Sequence, residues 1–410
     1  MMKLIKENGA FRRFLGFSTF LGIGDTMFTM FMMWIVHYTY RNPVYTGIAG
    51  FLLAAPMILS FLAGPVVDKM PKPRVLRFTT LIKMAVVAAV LASHFVYYPG
   101  VWLFFVGIFL FRVGTVFSNT AYTALLPRIV DGDDLVLANT TTNIFGIIIG
   151  LAIGVPVIFL IGMEDFGTLY ILLSSILVVS MFFALRLRSP ETKKTDKSDT
   201  KAYFADLKQG FAFARKGVML PLIGATIAMS FFSDVAYVNF PAFAELHMGD
   251  GSGYILLTML ALFGALLGSI FINMVSRKFD IGKILVAGFF ITGLARIGFV
   301  YGIGHHLAAG IATYLIYIGL GSMVAIVFHV LIQKLPPKNM VSRVDTSITS
   351  LTAVAVALGA LAGGFLGRAL DDPNLVFIIQ GVSYGLISLS LLFSKNIRHL
   401  PKTGDLPEQE

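Results

Sequence analysis

Asp25 lies in the stretch FLGIGDTMFTMF, residues 20–31, inside an otherwise almost wholly apolar run from Phe14 to Val36. With Ser18, Gly22 and Thr29 it forms a stripe at spacings of four, three and four residues. A helix would therefore carry this carboxylate on one small, polar face. Asp234 has a similar setting, sharing a face with Thr226, Ser230 and Tyr237. A carboxylate at mid-membrane is costly unless it meets a watery cavity or a partner, so two helices turning such stripes inward would line a pathway. An acid in that position can bind and release a proton. The alternative is that each acid bonds a neighbouring helix and only fixes packing.

Arg112, in FLFRVGTVFSNTAYTALLP, belongs to a third stripe with Thr115 and Asn119. A guanidinium does not give up its proton, so a buried one needs an anion, a carboxylate or backbone carbonyls nearby. Asp25 is the expected partner, because movement between a fixed cation and an acid switches the acid's proton affinity; a static ion pair is the alternative. Arg296, in the outer half of its run, and Lys83, near the edge of its own, are expected to snorkel to the surface. His329 and the GHH at 304–306 have no further ligands at metal spacing, so neither a metal nor another cofactor is expected. Gly146, Gly150 and Gly154 recur every fourth residue, as do Gly359, Gly363 and Gly367. Such faces let helix backbones approach closely.

The elements that must hold these residues are membrane spans. The chain is 57% hydrophobic and 13% charged, with a mean hydropathy of +0.82, which places it outside the range of soluble proteins. Apolar runs near 14–36, 45–66, 78–98, 101–121, 138–162, 166–186, 218–241, 253–274, 284–304, 307–331, 345–367 and 374–394 predict twelve transmembrane helices, each near the ~20 residues that cross a bilayer. The expected fold is all-α, with a six-helix bundle over 1–188, a cytoplasmic linker over 189–216 that includes an amphipathic helix, a second bundle over 217–395 and a tail over 396–410. The net charge of +10 reports topology. Apart from Arg41, Arg368, Lys83, Arg112 and Arg296, every Lys and Arg falls in the N-terminus, the tail or alternate connections, counting Arg186 at the edge of its span with the connection that follows, which predicts cytoplasmic termini and no nucleic-acid partner. Cysteine is absent, which removes disulfide and thiolate chemistry.

Internal repetition organises the chain further. An offset of 209 residues brings Asp25 onto Asp234, Lys69 onto Lys278, Arg74 onto Lys283, Gly150 onto Gly359 and Gly154 onto Gly363. The two halves therefore read as parallel, pseudo-symmetric repeats. No G-x-x-x-x-G-K-S/T phosphate loop and no H-E-x-x-H are present, so an ion gradient is the expected energy source.

At this level the residues resemble the major facilitator superfamily over essentially the whole chain. Its signature between the second and third helices, G-x-x-x-D-R/K-x-G-R/K-R/K, is similar to GPVVDKMPKP here. Gly64, Asp68, Lys69 and Lys72 match, Pro71 and Pro73 depart, and Arg74 supplies the displaced charge. The resemblance implies a cytoplasmic gate at these residues, with Asp68 and Lys69 as the latch. Arg112 matches the family's fourth-helix arginine, which in proton-coupled members is tied to proton transfer. TALLPRIVDGDDLVLANT and PPKNMVSRVDTSITSL resemble the bacterial macrolide-efflux and siderophore-exporter group. What this implies is a monomeric proton-coupled antiporter of a bacterial plasma membrane, with protons and an amphipathic small molecule as its partners. Asp25 as the main protonation site, Asp234 as a second acid for substrate or proton and Arg112 as the fixed charge that tunes Asp25 would couple protons, while Thr29, Thr115, Asn119, Ser230 and Tyr237 would join the two acids in lining the substrate cavity. The rivals are an importer or lipid-linked cargo flippase of the same fold, and a non-transporting sensor or assembly partner.

Overall fold

The computed structural model describes residues 2–58, 60–94, 100–130, 134–163, 165–188, 212–213, 217–337, 340–398 and 400–402. Almost all of the expected linker helix lies outside them. Among the described residues the regular structure is helical throughout: α1 (Met2–Glu7), α2 (Gly9–Tyr40), α3 (Pro43–Ile58), α4 (Ser60–Asp68), α5 (Lys72–His94), α6 (Val101–Leu125), α7 (Leu135–Gly162) and α8 (Phe166–Arg186) come first. They are followed by α9 (Met219–Tyr237), α10 (Phe240–Met248), α11 (Gly251–Lys278), α12 (Ile281–His305), α13 (Leu307–Lys334), α14 (Val341–Leu370), α15 (Pro373–Phe393) and α16 (Lys395–Arg398). Eleven described helices are long and apolar enough to cross a membrane, and α3 is a shorter apolar one. The chain is an all-α, multi-pass membrane protein.

Local chemistry sets the boundaries. The Asn8 side chain accepts the Phe11 N–H at the start of α2, and Arg41 closes that helix in the left-handed region at φ 49°, its N–H donating to the His37 carbonyl. The span expected over 218–241 is two helices. α9 stops at Tyr237, and Asn239 secures the break by donating to the Val235 and Gly363 carbonyls at 2.9 and 2.8 Å. Pro241 then sits in the first turn of α10, where its missing N–H costs nothing. The span expected over 78–98 begins earlier, at Lys72.

The chain forms two compact units. One gathers Met1–Arg41, Leu52–Ser198 and Asp250–Ile255; the other gathers Asn42–Phe51, Asp199–Gly249 and Leu256–Glu410. Each unit thus includes a short segment from the other half of the sequence, 42–51 or 250–255, and the 209-residue offset carries the first of these onto 251–260, which overlaps the second. In the first unit α2 packs on α8, with Gly24 admitting the Leu177 side chain. In the second, Leu285, Phe289, Phe328, Leu331, Tyr384 and Leu391 build a core among α12, α13 and α15.

The two glycine stripes differ. Gly359 and Gly363 lie against the backbone of Phe231 and Val235 on α9, and Gly367 lies against the Asn239 side chain. Around Gly146 and Gly150 a methyl group would meet nothing within 4 Å, so close packing at these two is not what the fold uses them for. Gly359→Leu is expected to lower the stability of the purified protein by about 1–3 kcal/mol through overpacking, whereas Gly146→Ala costs nothing; thermal unfolding in detergent measures both.

Candidate functional site

The charges expected to be apart are together, and one pair expected together is apart. In the first unit Lys83 Nζ lies 2.6 Å from Asp25 Oδ1, with the lysine side chain fully buried and the carboxylate side chain 15% exposed. The lysine also donates to Ser118 Oγ at 3.4 Å and stands 5.1 Å from the centroid of the Phe111 ring, which stacks on Phe28. The lysine stem packs over Gly114, where a methyl group would make ordinary contact with Lys83 Cγ and Cε. Lys83 therefore does not snorkel. With α5 beginning at Lys72 it lies eleven residues into the helix, about 16 Å from that end and beyond the reach of its own side chain. The missed signal was the stripe Thr79, Thr80 and Lys83, at helical spacing.

Arg112 is not the ion-pair partner of Asp25. Its Nε donates to the Leu53 carbonyl at 2.8 Å, on α3 three residues before Pro56. This is the backbone-carbonyl solution for a half-buried guanidinium. Of the polar neighbours expected around Asp25, Thr29 and Thr115 direct their hydroxyls to carbonyls of their own helices, Asp25 and Phe111 respectively, and Asn119 is exposed.

The second unit holds a cavity of about 340 Å³ lined by Ser233, Asp234, Tyr237, Phe240, Thr258, Ala261, Arg296, Tyr314, Tyr317, Ile318 and Gln380. Arg296 is 4% exposed, so it too is buried and does not snorkel. Its Nε donates to Gln380 Oε1 at 2.7 Å, and its guanidinium carbon lies 4.0 and 4.5 Å from the ring centroids of Phe377 and Tyr317. Gln380 Nε2 donates to the hydroxyls of Tyr317 and Tyr384, and the Tyr384 hydroxyl shares a 2.6 Å hydrogen bond with Ser233 Oγ. A hydrogen-bonded chain thus runs from Arg296 to the residue preceding Asp234. Among the described residues no hydrogen bond or ion pair reaches the Asp234 carboxylate itself. Asp234 and Tyr237 line this cavity and Ser230 does not. Thr292, one turn from Arg296, occupies the position that the 209-residue offset matches to Lys83, and its buried hydroxyl has no hydrogen-bond partner among the described residues.

At the connection after α4, Asp68 pairs with Lys72 rather than Lys69. Lys72 Nζ is buried, 3.1 Å from Asp68 Oδ1 and 2.8 Å from the Val67 carbonyl, while Lys69 and Arg74 are exposed and Gly64 has open space around it. Arg77, which sequence reasoning passed over, donates to the carbonyls of Ala184, Leu185 and Leu187 and so ties α5 to the end of α8. In the matching connection of the second half, the hydrogen bond from Lys283 holds the exposed Asp280 carboxyl below the ordinary carboxylate range. No group of three or more His, Asp or Glu among the described residues is placed to hold a metal.

Comparison with known proteins agrees with this architecture. The profile of the Major Facilitator Superfamily matches residues 15–351. A crystal structure of the nucleoside transporter NupG superposes with a TM-score of 0.77 at 12% identity, covering 93% of this chain and 98% of that one. A peptide transporter, POT, in complex with sulfate superposes at 0.72 with 15% identity and covers 96% of each chain. At those identities the likeness is one of fold. Comparison with curated protein sequences gave no match.

Removing one member of the buried pair leaves the other charge uncompensated. Lys83→Met is expected to destabilise the protein by roughly 3 kcal/mol, and the double variant Lys83→Met with Asp25→Asn to regain most of that loss. Unfolding of the two variants in the same detergent measures the difference.

Proposed function

The chain belongs to the major facilitator superfamily and is a membrane transporter; from that premise we propose that it is a proton-coupled antiporter that exports an amphipathic small molecule. The observation that carries this reading is the Asp234 carboxylate, unpaired among the described residues and lining a cavity whose walls include four aromatic rings and a buried guanidinium. A carboxylate without a fixed counter-charge is stabilised either by a proton or by a positively charged or hydrogen-bond-donating cargo. Both cannot hold it at once, and that exclusion is the elementary requirement of exchange.

Asp234 is therefore assigned as the exchanging acid, in place of Asp25. Lys83 already neutralises Asp25, and separating them would leave two charges in apolar surroundings. Asp25 and Lys83 act in this reading as a fixed element that keeps α2 and α5 in register. Arg112 holds α3 to α6, and Asp68 with Lys72 forms the gate at the connection after α4. Arg296, fixed by Gln380 and the aromatic rings, repels a second cation and sets the orientation of a cargo that carries both a cationic and an electron-rich end. The drug-like and siderophore-like cargo classes fit a cavity of this polarity.

Proteoliposomes with an internal pH dye, offered macrolides, lipophilic cations and siderophores, test the proposal. One cargo class is expected to drive proton movement opposite to its own, and Asp234→Asn to abolish that movement. Protons moving in the same direction as the cargo would make the protein an importer, and coupling that survives in Asp234→Asn would remove this acid from the mechanism.

A further inference from the structure

A second concavity of the second unit lies outside the Asp234 cavity. It is a groove of about 660 Å³ between α12 and α15, running from Gly282 and Lys283 to Ile297. Its origin is a backbone contact: a methyl group on Gly293 would strike the Gly381 carbonyl, so the two helices touch without side chains between them. One turn on, Gly385 faces open space, where a methyl group would meet nothing within 4 Å, and the floor of the groove is bare helix. Phe290, Leu294, Leu386 and Leu389 form exposed apolar walls. The one polar wall residue at mid-length, Ser388, directs its hydroxyl to the Val286 carbonyl. Fifteen helical residues span about 22 Å, enough to cross the ~15 Å of hydrocarbon in one leaflet.

Only one end is charged. Lys283 is on the first turn of α12, and Arg398 is brought beside it by the chain after α15: the Ile281 N–H donates to the Pro401 carbonyl, and Gly282 packs against the carbonyls of Ile397 and Arg398. Asp280 pairs with Lys283 at 2.8 Å and lies in the field of Lys402 as well, so among the described residues cations outnumber acids at this mouth. An apolar furrow one leaflet long with a cationic end has the polarity of a phospholipid whose headgroup is anionic.

We propose that this groove binds one anionic phospholipid, its acyl chain lying along α12 and α15 and its phosphate at Lys283 and Arg398. Native mass spectrometry of the full chain, released from detergent after incubation with phosphatidylglycerol or with phosphatidylcholine, tests it. The wild type is expected to retain phosphatidylglycerol in preference. Lys283→Gln with Arg398→Gln reduces that preference by about fivefold for each cation removed, as for basic residues at an anionic surface. Gly385→Leu, which fills open space and leaves both cations in place, abolishes retention of either lipid while thermal unfolding stays unchanged. Retention by Gly385→Leu equal to the wild type, or a preference that survives loss of both cations, would overturn the assignment. The charge variants are on the surface, so the test stands if the leucine variant fails to fold.

Discussion

A charge inside hydrocarbon must be compensated, and the fold of this protein is arranged around how each of its intramembrane charges meets that demand. Lys83 and Asp25 neutralise each other across α2 and α5. Arg112 takes the Leu53 carbonyl on α3, and Arg296 takes the Gln380 amide oxygen and three aromatic faces. Each solution fixes two or more helices against one another, because a donor on one helix meets its acceptor on another. Small residues then allow the approach: Gly359 and Gly363 admit the backbone of α9. Asp234 alone among these charged residues is left without a hydrogen bond or ion pair among the described residues, and it faces a cavity.

The contrast between the halves is a divergence within one repeat. Asp25 and Asp234 correspond at the 209-residue offset, yet where the first half has Lys83 the second has Thr292, and the cation lies one turn further along at Arg296. Shifting a cation by one turn moves it about 6 Å along the helix, beyond hydrogen-bond reach of the acid. The same ancestral position can thus serve as a fixed strut in one half and, on our proposal, as the working acid in the other.

Much of this was legible in the chain itself. Hydropathy gave the spans, the 209-residue offset gave the repeat, and polar stripes marked both acids, because those signals depend only on spacing along one helix. Partner identities were not legible, because they depend on how helices are rotated against each other. Lys83 was misplaced by a span boundary: reading the helix from residue 78 rather than Lys72 put a mid-span lysine near the surface. Arg296 was misplaced because its depth was read without its direction, although Thr292 one turn earlier marks the inward face. The break after Tyr237 escaped notice because apolar composition continues across it, while the backbone depends on one side chain, Asn239, to satisfy the carbonyls there.

The two acids differ on our proposal, one fixed by a lysine and one available for exchange. Infrared difference spectroscopy across a pH titration distinguishes them, because a carboxyl that takes up a proton gains a carbonyl stretch that a carboxylate lacks. This signal is expected to be kept in Asp25→Asn and lost in Asp234→Asn. A signal lost in Asp25→Asn and kept in Asp234→Asn would contradict the assignment, and would return the working role to the acid paired with Lys83.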